Sequence, residues 1–425
     1  MNKSILRLLA LSLILALTLP AVVGCDLMNN ILGNSQDTDT SGTSDTSAPE
    51  TSSATETSPE PETPAAYDPE RVTEYELNAE SPVLVTGRTI SLDAGLALDL
   101  SASAMRFRTT GGGDVSLKGN VGGENEIYFT VYIDGERQPT RLMFPEGEST
   151  QVLAKDLANE RHLIEIVRQT EGQFGTFTAE KITMKGSLFG NKPAEKKIYI
   201  EFIGDSITCG NGSLCKYLAA DDFLNYLPSQ SSSCIRSGKY KDAQWVEEDA
   251  SNSYAYLTAR HLNADCSLVS YSAMGLTKSW GGLNDYNMQE HFMKGAFLRE
   301  GGETFDFSTA RKPDFVVVNL GTNDVGQSGI TETKYKAAVK SFINQIREAY
   351  GDPDLKIVWA VGLMGNGNYT WAKAAIDSMN DENLYTYQFS PAQLGHGSHP
   401  TIEQHANAAK GFRNYLKNNG FIPQS

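Results

Sequence analysis

The stretch "IYIEFIGDSITCGNG" at residues 198–212 decides how this chain is read. Its first half is a continuous apolar run that stops at Gly204-Asp205-Ser206. A short apolar run bounded by turn residues is the pattern of a strand buried on both faces. The pattern recurs in "CSLVSYS" (266–272), "DFVVVNLG" (314–321) and "KIVWAVGL" (356–363). Helical segments alternate with these runs. In "ETKYKAAVKSFINQIREAY" (332–350), Tyr335, Ala338, Val339, Phe342, Ile343 and Ile346 form one stripe. Buried strands alternating with amphipathic helices predict an α/β domain over residues 196–425, with a central parallel sheet covered on both faces. Ligands of such sheets bind at the carboxyl ends of the strands, which is where Ser206 falls.

Three further strand ends carry unusual residues. "SYSAMG" (270–275) ends at Gly275, "GTND" (321–324) supplies Asn323, and "GHGSHPT" (395–401) places His396 and His399 before a final helix. A serine at a strand-to-helix turn exposes its hydroxyl to a cleft, and the helix N-terminus favours developing negative charge. Ester cleavage by such a serine needs a base within hydrogen-bond reach, a role open to His399. It also needs donors for the tetrahedral oxyanion. The backbone N–H groups of Ser206 and Gly275 and the side-chain amide of Asn323 are the candidates. Each piece alone has a plain structural use: Asp205 and Ser206 as helix caps, Gly275 as a turn, Asn323 and Asp324 as an Asx-turn. All four at successive strand ends predict catalysis.

Upstream, residues 71–195 follow a period of two. In "EIYFTVYIDG" (126–135), Ile127, Phe129, Val131 and Ile133 point one way and Tyr128, Thr130 and Tyr132 the other. "HLIEIVRQT" (162–170) and "FTAEKITM" (177–184) behave similarly, and turn signals such as "GGGD", "VGGEN" and "PEGE" separate the runs. Short strands punctuated in this way predict an all-β sandwich, serving as a sugar-binding module or as a packing partner.

The first residues belong to neither domain. "MNKSILRLLALSLILALTLPAVVGC" has a short basic start, an apolar run and small residues before Cys25, which reads as a secretion signal over residues 1–24. "VVGC" resembles a bacterial lipobox and makes Cys25 the expected lipidation site. Residues 26–70 contain Ser, Thr, Pro, Asp and Glu in plenty and no Lys or Arg. Such a segment buries too little to offset the entropy of folding, so a disordered linker over 25–70 is expected. It carries much of the formal net charge of −16. The expected location is the outer face of a bacterial cytoplasmic membrane, held by the lipid on Cys25, with a periplasmic site as the alternative. Nothing basic or patch-like points to nucleic acid.

The order GDS, Gly275, GTND and a C-terminal His-Pro resembles the GDSL or SGNH hydrolase superfamily over residues 196–425. That resemblance implies a three-layer α/β fold with Ser206 as nucleophile, Gly275 and Asn323 as oxyanion donors, and His399 as general base. More narrowly, "EFIGDSITCGNG", "NADCSLVSYSAMG", "VVNLGTND" and "VGLMG", preceded by a β-sandwich of jelly-roll type, are similar to carbohydrate esterase family two. That likeness implies removal of O-acetyl groups from xylan or glucomannan, with an acetylated polysaccharide as the partner and no cofactor or metal. The superfamily places an aspartate three residues before its histidine, and here that position is His396. A Ser-His dyad is therefore expected, with a main-chain oxygen of segment 396–398 accepting from His399 Nδ1; His396 itself is left as a loop histidine or a substrate contact.

Trp280, Trp371 and Tyr271 lie near strand ends, where rings stack on sugars or simply fill the core. Export permits disulfides among Cys209, Cys215, Cys234 and Cys266, of which Cys215 and Cys234 bracket a polar loop. Two other readings share the motifs: an esterase for lipid, arylester or acetylated peptidoglycan, and a glycan-binding lipoprotein with a weak active site.

Overall fold

The computed structural model describes residues 71–88, 90–188, 190–215, 244–282, 287–295, 304–392, 395 and 398–422. Cys25, Cys234, His396 and the signal and linker segments lie outside the described residues.

The N-terminal half is built on an 11-stranded antiparallel sheet. Its longest strands, Ala104–Gly122 and Gly147–Arg168, pair from Ala104↔Val167 to Val121↔Gly147. The register shifts between Gly111 and Ser116, and bulges of this kind bend a ribbon. Strand Ile127–Ile133 adds to one side and Thr176–Met184 to the other. The inward alternation collects Phe129, Phe144 and Phe177, whose ring centroids lie 4.7–5.6 Å apart, in a core with Met105, Phe107, Leu117, Ile164 and Ile166. The outward residues Tyr128, Thr130 and Tyr132 are buried as well. Their face is covered by the second half of the chain: Thr130 Oγ1 meets Ser251 Oγ at 2.6 Å, and Tyr132 joins a cluster with Tyr254 and Tyr256.

The C-terminal half holds a five-stranded parallel sheet. Strand Ile198–Gly204 lies between Ala264–Ser270 and Phe315–Asn319, and Lys356–Val361 and Leu384–Gln388 follow outward. Successive side chains of the central strands enter two different cores. Phe202, Val317 and Val358 pack with Tyr254 and Phe412, from helices Tyr254–His261 and Ile402–Asn418. Ile203, Val316, Val318 and Trp359 pack with Val339, Phe342 and Ile346 of helix Glu332–Tyr350. The result is a three-layer α/β arrangement, each large apolar side chain so buried being worth about 1.5–3 kcal/mol. The ends of these helices follow local rules. Thr331 Oγ1 accepts from Lys334 N–H at 3.3 Å, and Gly351 ends that helix at φ +58°. Thr401 and Gln404 form a capping box ahead of the final helix.

Candidate active site

Strand Ile198–Gly204 delivers Ser206 into a four-residue helix, Ser206–Cys209. The turn is tight because Gly204 has no Cβ; one there would overlap Thr208 Oγ1. Asp205 caps the helix, accepting from Ile207 N–H at 3.0 Å. The helix ends at Gly210, in the left-handed region at φ +75°.

His399 reaches Ser206 from the loop before the last helix, and its Nε2 stands 2.7 Å from Ser206 Oγ. Gly395 N–H donates to His399 C=O at 2.6 Å. The segment proposed to orient Nδ1 is described only at Ser398, whose φ of +66° is left-handed. Behind it, His405 is fully buried and its Nδ1 accepts from Tyr254 N–H at 3.1 Å. Burial, with help from the nearby His399 charge, pushes the His405 pKa down to about 3, so this ring is neutral.

The other strand ends converge on the same place. Gly275 sits in a turn where a Cβ would overlap Lys278 C=O, so only glycine fits. Its N–H donates to Ser279 Oγ at 3.2 Å. Asn323 Nδ2 donates to Met274 C=O at 2.9 Å and to Asp205 Oδ2 at 3.2 Å. The two donor groups nominated beside Ser206 therefore have protein acceptors in this state.

Asp324 is not closing a local Asx-turn. Its Oδ2 accepts from Leu276 N–H at 2.8 Å, and its Oδ1 from Thr277 N–H at 2.8 Å, Lys278 N–H at 3.2 Å and the Thr277 hydroxyl. One carboxylate thus fixes the backbone that carries Gly275. Asp205 is also fully buried, and burial, with the Asp324 charge adding, pushes its pKa up to about 7 against the pull of the Ile207 N–H.

The aromatic residues separate into three cases. Trp280 is 55% exposed, and its backbone N–H donates to Ala273 C=O at 2.8 Å, beside the Gly275 turn. Trp371 is half-buried with its ring 6.1 Å from that of Tyr335. Tyr271 is half-buried with its ring 5.6 Å from His291.

Among the described residues, Glu171, Cys209 and Glu248 are the ligand-type side chains that converge, with donor atoms within 4.8 Å of one another. Burial drives all three pKa values up. Both Glu171 oxygens already accept hydrogen bonds, from Ser272 N–H and from Gln173 Nε2. Burial thus disfavours the charged forms that metal ligation needs, and the trio reads as a structural cluster. Cys209 and Cys266 are buried free thiols; Cys215 is buried too.

Residues 202–384 match the GDSL-like Lipase/Acylhydrolase family, and residues 85–191 match the Carbohydrate esterase 2 N-terminal family. The chain carries a GDSL acylhydrolase domain behind a carbohydrate esterase 2 N-terminal domain. The relatives of this two-domain chain are named esterases. It is 30% identical over 328 residues to a cellulase/esterase of Acetivibrio thermocellus, covering 72% of this chain and 36% of that protein. It is 25% identical over 337 residues to an acetylxylan esterase / glucomannan deacetylase of Cellvibrio japonicus, covering 77% and 86%. The chain thus spans about a third of the first relative and most of the second. A family two carbohydrate esterase from Clostridium thermocellum, solved with cellohexaose, superposes with a TM-score of 0.68 at 28% identity, over 80% of this chain and 100% of that one.

Sequence reasoning missed the work of Asp324 and Glu171. The signal for Asp324 was its place directly after Asn323; Glu171, in "QTEGQF" of the other domain, has none.

Proposed function

We propose that this chain is an exported serine esterase that removes O-acetyl groups from a plant polysaccharide of the xylan or glucomannan type. The observation that carries the reading is the 2.7 Å contact of His399 Nε2 with Ser206 Oγ at the carboxyl end of the parallel sheet. At that distance the imidazole takes the hydroxyl proton as Oγ attacks the acetyl carbonyl. Negative charge then develops on the carbonyl oxygen beside the Ser206 and Gly275 N–H groups and the Asn323 amide. Gly275 and Asn323 exchange their protein acceptors for that oxyanion, so their donation strengthens only as the transition state forms. Collapse expels the sugar oxygen with the proton from His399, leaving acetate esterified to Ser206. Water, deprotonated by the same imidazole, releases acetate and restores the serine.

The substrate class is supported by the named activities of the relatives, and Trp280 offers an exposed ring beside the Gly275 turn on which a sugar can stack. The lipobox supports tethering of the enzyme outside the membrane through Cys25, and Cys25→Ala is expected to leave the membrane fraction with its activity intact. The deciding experiment is acetate release from acetylated xylan, glucomannan and peptidoglycan by wild type and Ser206→Ala. Release from the plant polysaccharides that vanishes in the variant is expected. No release from them by the wild type, or release that persists in Ser206→Ala, defeats the reading.

A further inference from the structure

The seam between the two halves runs directly behind the nucleophile. Glu171 leaves the β-domain at the end of strand Gly147–Arg168 and is fully buried. Its Oε2 accepts from Ser272 N–H at 2.6 Å and lies 3.4 Å from Cys209 Sγ. Ser272 is three residues before Gly275, on the loop that carries the oxyanion candidate, and Cys209 ends the helix that Ser206 begins. One side chain of the N-terminal domain therefore touches both the nucleophile helix and the loop that carries Gly275. The loop needs such a hold: Ala273, the next residue, is left-handed at φ +65°, a conformation a non-glycine residue keeps only when its surroundings impose it.

Glu171 is itself anchored. Arg168, wholly buried, donates to the carbonyls of Leu98, Thr170, Glu171 and Gly175, which locks the loop that presents the carboxyl. The same seam grips the backbone behind the nucleophile helix. Ala250 N–H donates to Gln169 C=O at 3.0 Å, Arg137 pairs with Asp249 at 2.8 Å, and Asp249 N–H donates to Gly210 C=O at 3.2 Å.

We infer that Glu171 is a positioning residue for the esterase, through which the N-terminal domain holds the Gly275 loop in register with Ser206. That domain is then half of the catalytic frame, whatever it also does with glycans. The inference rests on Ser206 as the nucleophile proposed above.

The test compares Glu171→Gln, Glu171→Asp and Glu171→Ala in the full chain. Two rates are read: kcat and KM for a small acetyl ester, and covalent labelling of Ser206 by a fluorophosphonate, followed by mass. A glutamine oxygen still accepts from Ser272 N–H, so Glu171→Gln should keep both rates within about threefold. Glu171→Ala releases the loop and should slow both by about 10–100-fold with little change in KM. Glu171→Asp, which withdraws the acceptor by one methylene, should fall between them and stands in if the alanine variant does not fold. The inference is overturned if a folded Glu171→Ala or Glu171→Asp labels and turns over like wild type, or if Glu171→Gln loses as much as Glu171→Asp. Labelling needs no polysaccharide, so the wrong choice of substrate leaves this test standing. A wild-type Ser206 that resists the phosphonate sinks both proposals.

Discussion

Asp324→Asn isolates the backbone frame of the oxyanion loop from its donors. In the wild type one carboxylate receives the N–H groups of Leu276, Thr277 and Lys278 and the Thr277 hydroxyl. An asparagine has a single acceptor oxygen, so whichever way its amide turns, one side presents N–H to N–H. The cheaper orientation keeps the three bonds to Oδ1 and sets Nδ2 against the buried Leu276. A lost hydrogen bond to a charged group costs about 1.5–3 kcal/mol, and the orphaned donor adds about 1–3. Part of this relaxes, leaving a destabilisation of about 2–4 kcal/mol, or a melting temperature lower by about 5–10 °C. The activity loss follows from geometry. A shifted Gly275 N–H is equivalent to loss of one oxyanion donor, so kcat should fall about 10²-fold while KM changes little. Calorimetry and initial rates of acetate release at saturating substrate measure the two effects. A variant with wild-type melting and kcat within threefold would show that the carboxylate frames nothing.

Asn323→Ala should lower kcat about 10²–10³-fold and raise KM far less, because its amide serves charge present only in the transition state; an effect confined to KM would make it a substrate contact. His399→Ala should remove nearly all turnover, whereas His396→Ala should cost little; comparable losses in acetate release would mean that both imidazoles share the chemistry. The buried carboxyls should contribute stability that falls with rising pH, against the opposite contribution of the buried, neutral His405 and His291. Burial pushes the Asp205 pKa up to about 7 and those of Glu171 and Glu248 upward as well, so the folded state binds protons more tightly than the unfolded chain. That stabilisation is complete below the unfolded carboxyl range near pH 4 and, for Asp205, is lost as pH rises to about 7. The stability of wild type relative to Asp205→Asn should therefore be greater at pH 5 than at pH 8, read as the difference between their calorimetric melting temperatures; a difference that grows with pH refutes the assignment.

The parallel sheet was legible because its strands are buried on both sides and read as unbroken apolar runs, and the ends of such runs are where side chains meet. Ser206, Gly275, Asn323 and His399 could be listed together for that reason. Period-two alternation in "EIYFTVYIDG" was legible too, but it reports only that two faces exist. That Tyr128, Thr130 and Tyr132 are covered follows from a second domain whose docking no local pattern encodes. The buried carboxyls were the least legible. Asp324 acts on amides 46–48 residues earlier in the chain, and Glu171 on one 101 residues later, separations at which spacing carries no information.

The carboxyl groups also bear on how the proposed Ser206–His399 dyad would work without an aspartate at position 396. An ionised carboxylate held in low dielectric beside Ser206 opposes an oxyanion as much as it steadies an imidazolium. Asp205 and Glu171 are spent on backbone N–H groups instead, and burial raises their pKa values, which limits the negative charge they present to the reacting carbonyl. Acidic side chains set the backbone of this site, and the proposed base His399 receives at its carbonyl the Gly395 N–H. In the proposed dyad, position supplied by carboxyls from two domains takes the place of charge supplied by a third catalytic residue.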